Sequence, residues 1–367
     1  MYSTDQYRVF SGEAVDRLLS RPRRLVQEGR LEAALEAYRE VLAAQPGVKQ
    51  AWLECFEVLR QTRRHPEALA LAEASRAQLG DDALPDALRG AALVELGRYR
   101  EGLAALEAAA QREPDLGLIW HEAGYAAYRL GELSRALMAL DRAFALEPHS
   151  GTLHLRGKVL RQAGRYLAAE VAFEGAAETA EFPAQRQAAE REIRITRRYA
   201  AFPGRRPDAL PPSRRWFAET GAVPLTLEVD APGASDEELA RAFLQLGTDE
   251  GWRFTHLIVL DHWEGWPSFA SALDLPARPR LPDDPLAVPL VVARRAEPGD
   301  AVWARATGHV ETSGRGLSFA LCQEPDAPPA DVLGRLGRQT GAIDLAFAME
   351  AANHPAGRLA GRLLAAG

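Results

Sequence analysis

Over roughly the first two hundred residues, apolar positions recur at spacings of three and four, the period of helices with one buried face. Gly29, Arg63, Gly97, Gly131 and Gly164 punctuate these blocks at intervals of 34, 34, 34 and 33. A fixed period of this length predicts an array of paired helices in which each pair buries its apolar side against the next. Beyond residue 215 the pattern changes. AVPLTLEV (222–229) and RFTHLIVL (253–260) read as strands, and Ser235-Asp236-Glu237-Glu238 reads as a capping box opening a helix to about Gly251. This β-α-β order predicts two parallel strands. After a short segment at 264–274, three further strands are expected near 286–294, 301–309 and 316–323. The turn signals Pro298-Gly299 and Ser313-Gly314 suggest antiparallel hairpins between them. A helix from about 329 and an Ala-rich one from about 342, interrupted at Pro355, complete the expected order.

The clearest repeat runs from Gly117 to Pro148. Trp120, Gly124 and Ala127 share one face of a first helix, Gly131 breaks the chain, and Ala136, Leu140 and Ala143 share one face of a second. The small residues Gly124 and Ala136 let the two helices approach, while Trp120 and Leu140 fill the space beside them. Leu153, Gly157, Gly164, Tyr166, Ala169, Phe173 and Ala176 repeat the layout, and Gly90, Gly97, Tyr99, Leu106, Ala109 and Pro114 precede it. Two earlier units carry Trp52 and Ala68, with Arg63 at the turn, and Gly29, Ala34, Tyr38 and Pro46, with Pro22 expected to interrupt the first helix. These residues resemble the tetratricopeptide repeat over about 12–180. The resemblance implies a solenoid of about five helix-turn-helix repeats closed by a capping helix, a role that 183–200 suits through Ala189, Ile193 and Ile195.

The same resemblance implies that first helices line a concave groove. Carried over by position, the groove-facing residues are Leu118, His121, Tyr125, Tyr128 and Arg129 in one unit and His154, Lys158, Arg161 and Gln162 in the next. Tyrosines give amphipathic contact area and the cations pair with carboxylates, so the expected guest is a protein or peptide segment with acidic groups. One unit earlier, Leu84, Ala87, Ala91 and Val94 would accept an apolar side chain. The Lys/Asn arrangement with which some members of the family clamp a chaperone's C-terminal carboxylate is not reproduced.

LDHWEGW (260–266) follows the second strand, where α/β sheets place ligands, and offers Asp261, His262 and Glu264 as a catalytic or ligand site. The competing reading has Trp263 and Trp266 covering the core edge and Asp261 capping the next segment. His256, His309 and His354 are scattered outside any metal-binding spacing, and no GxSxG elbow or glycine-rich phosphate loop occurs.

Composition sharpens the division. Residues 1–200 hold 7 prolines and residues 201–367 hold 17, with AFPGRRPDALPPSRR (201–215) at the junction. The expected organisation is an all-α solenoid with capping helix over 1–200, a linker over 201–215 and an α+β domain with a mixed sheet over 216–367. Cys55 and Cys322 match no disulfide framework or zinc spacing. No metal or cofactor is expected. The absence of a long apolar run and of a secretory layout in MYSTDQYRVF suggests a cytoplasmic, bacterial-type protein. A net charge of −7 disfavours nucleic acid, despite the arginine-rich helix 186–198 with Arg191, Arg194 and Arg198 on one face. The leading expectation is a protein–protein interaction adaptor whose C-terminal domain docks or senses. An enzyme at Asp261, His262 and Glu264, and a nucleic-acid-associated factor using 186–198, are the alternatives.

Overall fold

The computed structural model describes residues 12–228 and 233–362. The stretch 1–10 read for a secretory signal lies outside the described residues, as does Val229 at the end of the first expected strand. Two compact units are present: the chain up to Ala163 with Val171–Ala189, and Gly164–Glu170 with the chain from Glu190 onward.

The helices come in consecutive hairpins: α1 (Glu13–Gln27) with α2 (Leu31–Ala44), α3 (Lys49–Gln61) with α4 (His65–Leu79), and α5 (Ala83–Glu95) with α6 (Tyr99–Arg112). Then follow α7 (Gly117–Arg129) with α8 (Leu133–Leu146), α9 (Ser150–Gln162) with α10 (Tyr166–Glu178), and a single α11 (Pro183–Tyr199). The expected five pairs and closing helix are thus present among the described residues. All five periodic turn residues adopt positive φ: 72° at Gly29, 57° at Arg63, 77° at Gly97, 76° at Gly131 and 74° at Gly164. That conformation favours glycine, and Arg63 tolerates it at a cost of about 1 kcal/mol.

Close helix contact explains the small residues. A methyl group added at Gly124 would lie 2.7 Å from Leu140, and one at Gly157 would lie 2.7 Å from the Phe173 ring. Trp52 and Trp120 each donate their indole N–H, at 2.7 Å, to the carbonyl six residues upstream, Pro46 and Pro114 respectively. The expected break at Pro22 does not occur. Helix α1 continues through it, with Leu19, Pro22 and Leu25 buried, so packing offsets the roughly 3 kcal/mol that an interior proline costs. The buried Arg23 of the same helix binds Glu54, which also accepts from Tyr38 and Gln50.

In the second unit the capping box forms as expected: Ser235 Oγ accepts from Glu238 N at 3.2 Å, and the Glu238 carboxylate accepts from Ser235 N at 2.7 Å. After α12 (Pro212–Thr220) the elements are β1 (Val223–Pro224), β2 (Thr226–Glu228), α13 (Asp236–Asp249), β3 (His256–Val259), α14 (Trp266–Leu273) and β4 (Ala277–Arg278). They are followed by β5 (Pro289–Ala296), α15 (Ala301–Ser313), β6 (Leu317–Gln323), β7 (Val332–Leu336), β8 (Gly341–Ile343) and α16 (Leu345–Ala352). The main sheet has the order β1-β7-β6-β5-β3-β4, and every neighbouring pair in it is parallel. Among the described residues, antiparallel pairing is confined to the ribbon β2-β8.

The hairpins expected over 286–323 are therefore corrected. Residues 301–313 form a helix, because the Asp300 carboxylate accepts from Val302 N and Trp303 N, and Trp303, Ala306 and Val310 share a buried helical face. Gly299 and Gly314, read as hairpin turns, are left-handed junctions around that helix, with φ of 78° and 65°. The helix expected from 329 gives way to the buried strand β7, inserted between β1 and β6. Helix α15 packs on one face of the sheet through Ile258, Val291 and Ala320, while Leu239, Phe243 and Phe269 pack with Leu290, Val292 and Phe319 in a separate core cluster. Residues 201–215 make contacts of their own. Arg215 donates to the carbonyls of Pro207, Asp208 and Leu210, Leu210 is buried beside Tyr166 and Tyr199, and α12 begins at Pro212.

Candidate binding groove

In the first unit, α7 and α9 are the first helices of successive repeats, and the 33-residue offset makes Lys158 the counterpart of Tyr125. Their groove-facing sides border a cavity of about 680 Å³. Seven of the nine residues expected to face the groove line it: Leu118, His121, Tyr125, Tyr128, Arg129, His154 and Lys158. Arg161 is not part of that lining; its guanidinium lies over the Phe173 ring, 5.5 Å from the centroid. His154 meets the same ring edge-on at 5.4 Å.

Other lining groups were not anticipated. His149 caps α9, its Nδ1 accepting from Gly151 N at 3.1 Å, and Thr152 lies 3.1 Å from the His121 ring. Burial disfavours the charged form of His121, and nearby His149 and Arg60 add to this, so its pKa falls below the ordinary imidazole value. Arg60, on α3, donates to Glu122 of α7 at 2.8 Å and lies within 3.5 Å of Glu57 and 3.7 Å of Glu95. One cation on the groove lining thus serves three carboxylates. Burial works against the charge of Glu122, but Arg60 outweighs it and holds that pKa below the usual carboxylate range. For Glu57 burial wins, and its pKa rises to about 7.

The apolar wall expected from Leu84, Ala87, Ala91 and Val94 is absent as an open surface. All four side chains are buried, and the cavity beside the first three holds about 20 Å³, room for no more than a water molecule. These positions fill the contact between helices instead of receiving a guest.

In the second unit, LDHWEGW is built around Asp261. Its carboxylate accepts from Arg294 N at 2.8 Å, Arg295 N at 3.1 Å and Trp266 Nε1 at 3.4 Å, splicing the end of β3 to the end of β5. Trp263 and Trp266 are buried with ring centroids 4.9 Å apart, and a methyl group on Gly265 would fall 2.3 Å from the Trp263 ring. His262 and Glu264 are exposed, and no hydrogen bond joins them to Asp261 among the described residues. The three residues are not brought together as an acid–base set. No cluster able to hold a metal ion occurs among the described residues.

The arginine-rich face of α11 is also only partly a surface. Arg198 is buried and donates to the carbonyls of Ala218, Glu219 and Ala356, with its pKa lowered by burial to about 10. Arg197 pairs with Glu170 at 2.7 Å, while Arg191 and Arg194 are exposed. No helix of the described residues is long and apolar enough to cross a membrane.

Residues 25–92 match the tetratricopeptide repeat family, over the units where the turn glycine and the first helix depart most from the repeat pattern. Among solved structures, a thermophilic TPR protein of Thermus thermophilus is similar at 20% identity, covering 48% of this chain and 98% of that one, with a TM-score of 0.44. PilW, described as a widely conserved type IV pilus biogenesis factor, is similar at 17% identity over 52% and 89% of the two chains, with a TM-score of 0.44. YrrB, a TPR protein with an unusual peptide-binding site, is similar at 17% identity over 47% and 90%, with a TM-score of 0.34. No curated protein matches the sequence. The helical pairs of the first unit follow the layout of a tetratricopeptide-repeat array.

Proposed function

We propose that the chain is an adaptor that captures a segment of a partner polypeptide in the groove between α7 and α9. The observation that carries this reading is the cavity of about 680 Å³ lined by aromatic, imidazole and cationic side chains from successive repeats. Its volume suits a few residues of extended peptide. Tyr125 and Tyr128 are half-buried and offer ring surface, and Lys158 and Arg129 supply charge. The second unit would serve as the docking or sensing module, with the working division at 1–200, 201–215 and 216–367. The two buried thiols, Cys55 and Cys322, unpaired with each other or any other cysteine, fit a reducing cytoplasm.

Selection of displayed random peptides on the full-length protein tests the reading. Enriched peptides should bind the parent and lose at least about tenfold in affinity on a Tyr128→Ala, Lys158→Glu double variant. Enriched peptides held equally well by the folded double variant would remove the groove from the account.

A further inference from the structure

The net charge of −7 is unevenly spread along the chain. Residues 190–215 hold eight arginines against three acids, although acids outnumber bases in the whole sequence, 51 to 44. Four of the eight are engaged inside the second unit. Arg197 pairs with Glu170 and the buried Arg214 with Asp344, while Arg198 and Arg215 donate to main-chain carbonyls. The other four, Arg191, Arg194, Arg205 and Arg206, are exposed, and among the described residues no carboxylate pairs with them. Arg165, also exposed and without a carboxylate, joins them. A methyl group on the adjoining Gly164 would lie 3.3 Å from the Arg205 carbonyl oxygen and 3.7 Å from Arg206 Cγ, and the Tyr166 hydroxyl donates to that same carbonyl. The arginines of the first unit are treated differently: Arg76 and Arg112 share Asp86, Arg142 pairs with Asp115 and Arg156 with Asp141. Like charges even crowd the buried Arg198, whose pKa is lowered by burial and then by Arg194, Arg358 and Arg191.

A surface of uncompensated guanidinium groups is complementary to an anion, and its surroundings narrow the choice. Among the described residues, 190–215 exposes no large apolar side chain; Tyr199 is buried and Phe202 packs against the core. The centre of a protein interface is apolar and aromatic, and a membrane-surface helix needs an apolar face to insert. Single-stranded nucleic acid is held by rings on which its bases stack. The phosphate backbone of a duplex asks for charge alone, and the guanidinium fork matches phosphate at two points. We infer that Arg165, Arg191, Arg194, Arg205 and Arg206 form a docking surface for the backbone of a nucleic-acid duplex, bound without regard to base sequence. This surface lies in the second unit and is independent of the groove reading.

The probe is a fluorescein-labelled DNA duplex of about 20 base pairs, titrated by anisotropy with the full-length protein between about 20 and about 200 mM salt. The parent is expected to bind at the low end, and log K should fall against log[salt] with a slope of about −4.5, as five neutralised phosphates imply. A variant carrying Arg191→Gln, Arg194→Gln, Arg205→Gln and Arg206→Gln, with parental circular dichroism, should lose at least about tenfold in affinity and flatten the slope to about −1. Should the four changes prevent folding, Arg191→Gln with Arg194→Gln alone should bring the slope to about −3. Arg278→Gln with Arg280→Gln removes two exposed arginines elsewhere in the second unit and should change neither affinity nor slope. No binding by the parent at about 20 mM salt, or equal losses from the control pair, would overturn the assignment. Single strands bound as tightly as the duplex would do the same. So would tighter, arginine-dependent binding of phosphatidylserine vesicles or polyglutamate, which would give the surface to a membrane or an acidic protein.

Discussion

Glu57 shows how much a single ionisable group depends on its place in the array. It sits on α3 with a side chain only 6% exposed, and burial raises its pKa from 4.5 to about 7 despite Arg60 at 3.5 Å. A carboxyl whose pKa is raised on folding contributes stability that is fully present below pH 4.5 and lost as pH climbs through 7. Arg60 keeps Glu122 and Glu95 as partners whatever happens to Glu57. Glu57→Gln in the full chain is therefore expected to lie within about 1 kcal/mol of the parent in urea unfolding at pH 5 and to exceed it by about 3 kcal/mol at pH 8. Parallel pH dependences for the two proteins would show that Glu57 does not titrate in this window. Sequence reasoning finds neither the burial of this carboxyl nor the place of Arg60 on the groove lining. The Arg60–Glu122 contact joins α3 to α7 across 62 residues, skipping a repeat, whereas the groove residues of α7 and α9 follow from the turn spacing alone. Tyr99 is legible as a repeat residue, but not as the ring beneath the Arg129 guanidinium.

At the level of elements, the legible parts are those whose partners are close in sequence. Helical hairpins announce themselves by glycine at the turn and small residues at the contact, and the capping box at Ser235 states the start of α13 in four residues. The strands of the second unit are harder. AVWARATGHV fits both an alternating and a helical pattern over ten residues, and the deciding feature is Asp300 just before it, whose carboxylate caps α15. Strand β7 is five residues long and carries Gly334, where an added methyl group would fall 2.4 Å from the Leu321 carbonyl, so its place beside β6 is fixed by a backbone approach that no local pattern signals. Asp261 belongs to this scale. Its two backbone acceptor bonds hold the ends of β3 and β5 together, which assigns it a structural part in LDHWEGW. Asp261→Ala should cost about 2–3 kcal/mol in denaturant unfolding followed by tryptophan fluorescence, since it leaves two strand-end N–H groups without their charged partner. His262→Ala should stay within about 0.5 kcal/mol, as exposed substitutions do. Equal effects from the two changes would contradict the splice.

The molecule as a whole combines two ways of paying the entropy of folding. In the helical unit almost every contact is made between adjacent helices, α5 with α6, α6 with α7 and α7 with α8, so the loops closed are short. In the second unit β1 must wait for β7, Val223 pairing with Val332, and β2 must wait for β8, Thr226 pairing with Ile343. More than a hundred residues separate the partners in each of these pairings. Local topology folds fast and non-local parallel pairing folds slowly, a difference that can span several orders of magnitude. Pulse-labelled hydrogen exchange during refolding should accordingly protect amides of α5–α8 before those of β1 and β7, with β5 and β6, joined through α15, in between. Simultaneous protection of both sets would mean that the array gains its order only along with the sheet. In that case the groove would not be a property of the repeats by themselves. Early protection of the helices would instead make the groove available, with Arg129 already seated on Tyr99, before the slower sheet closes.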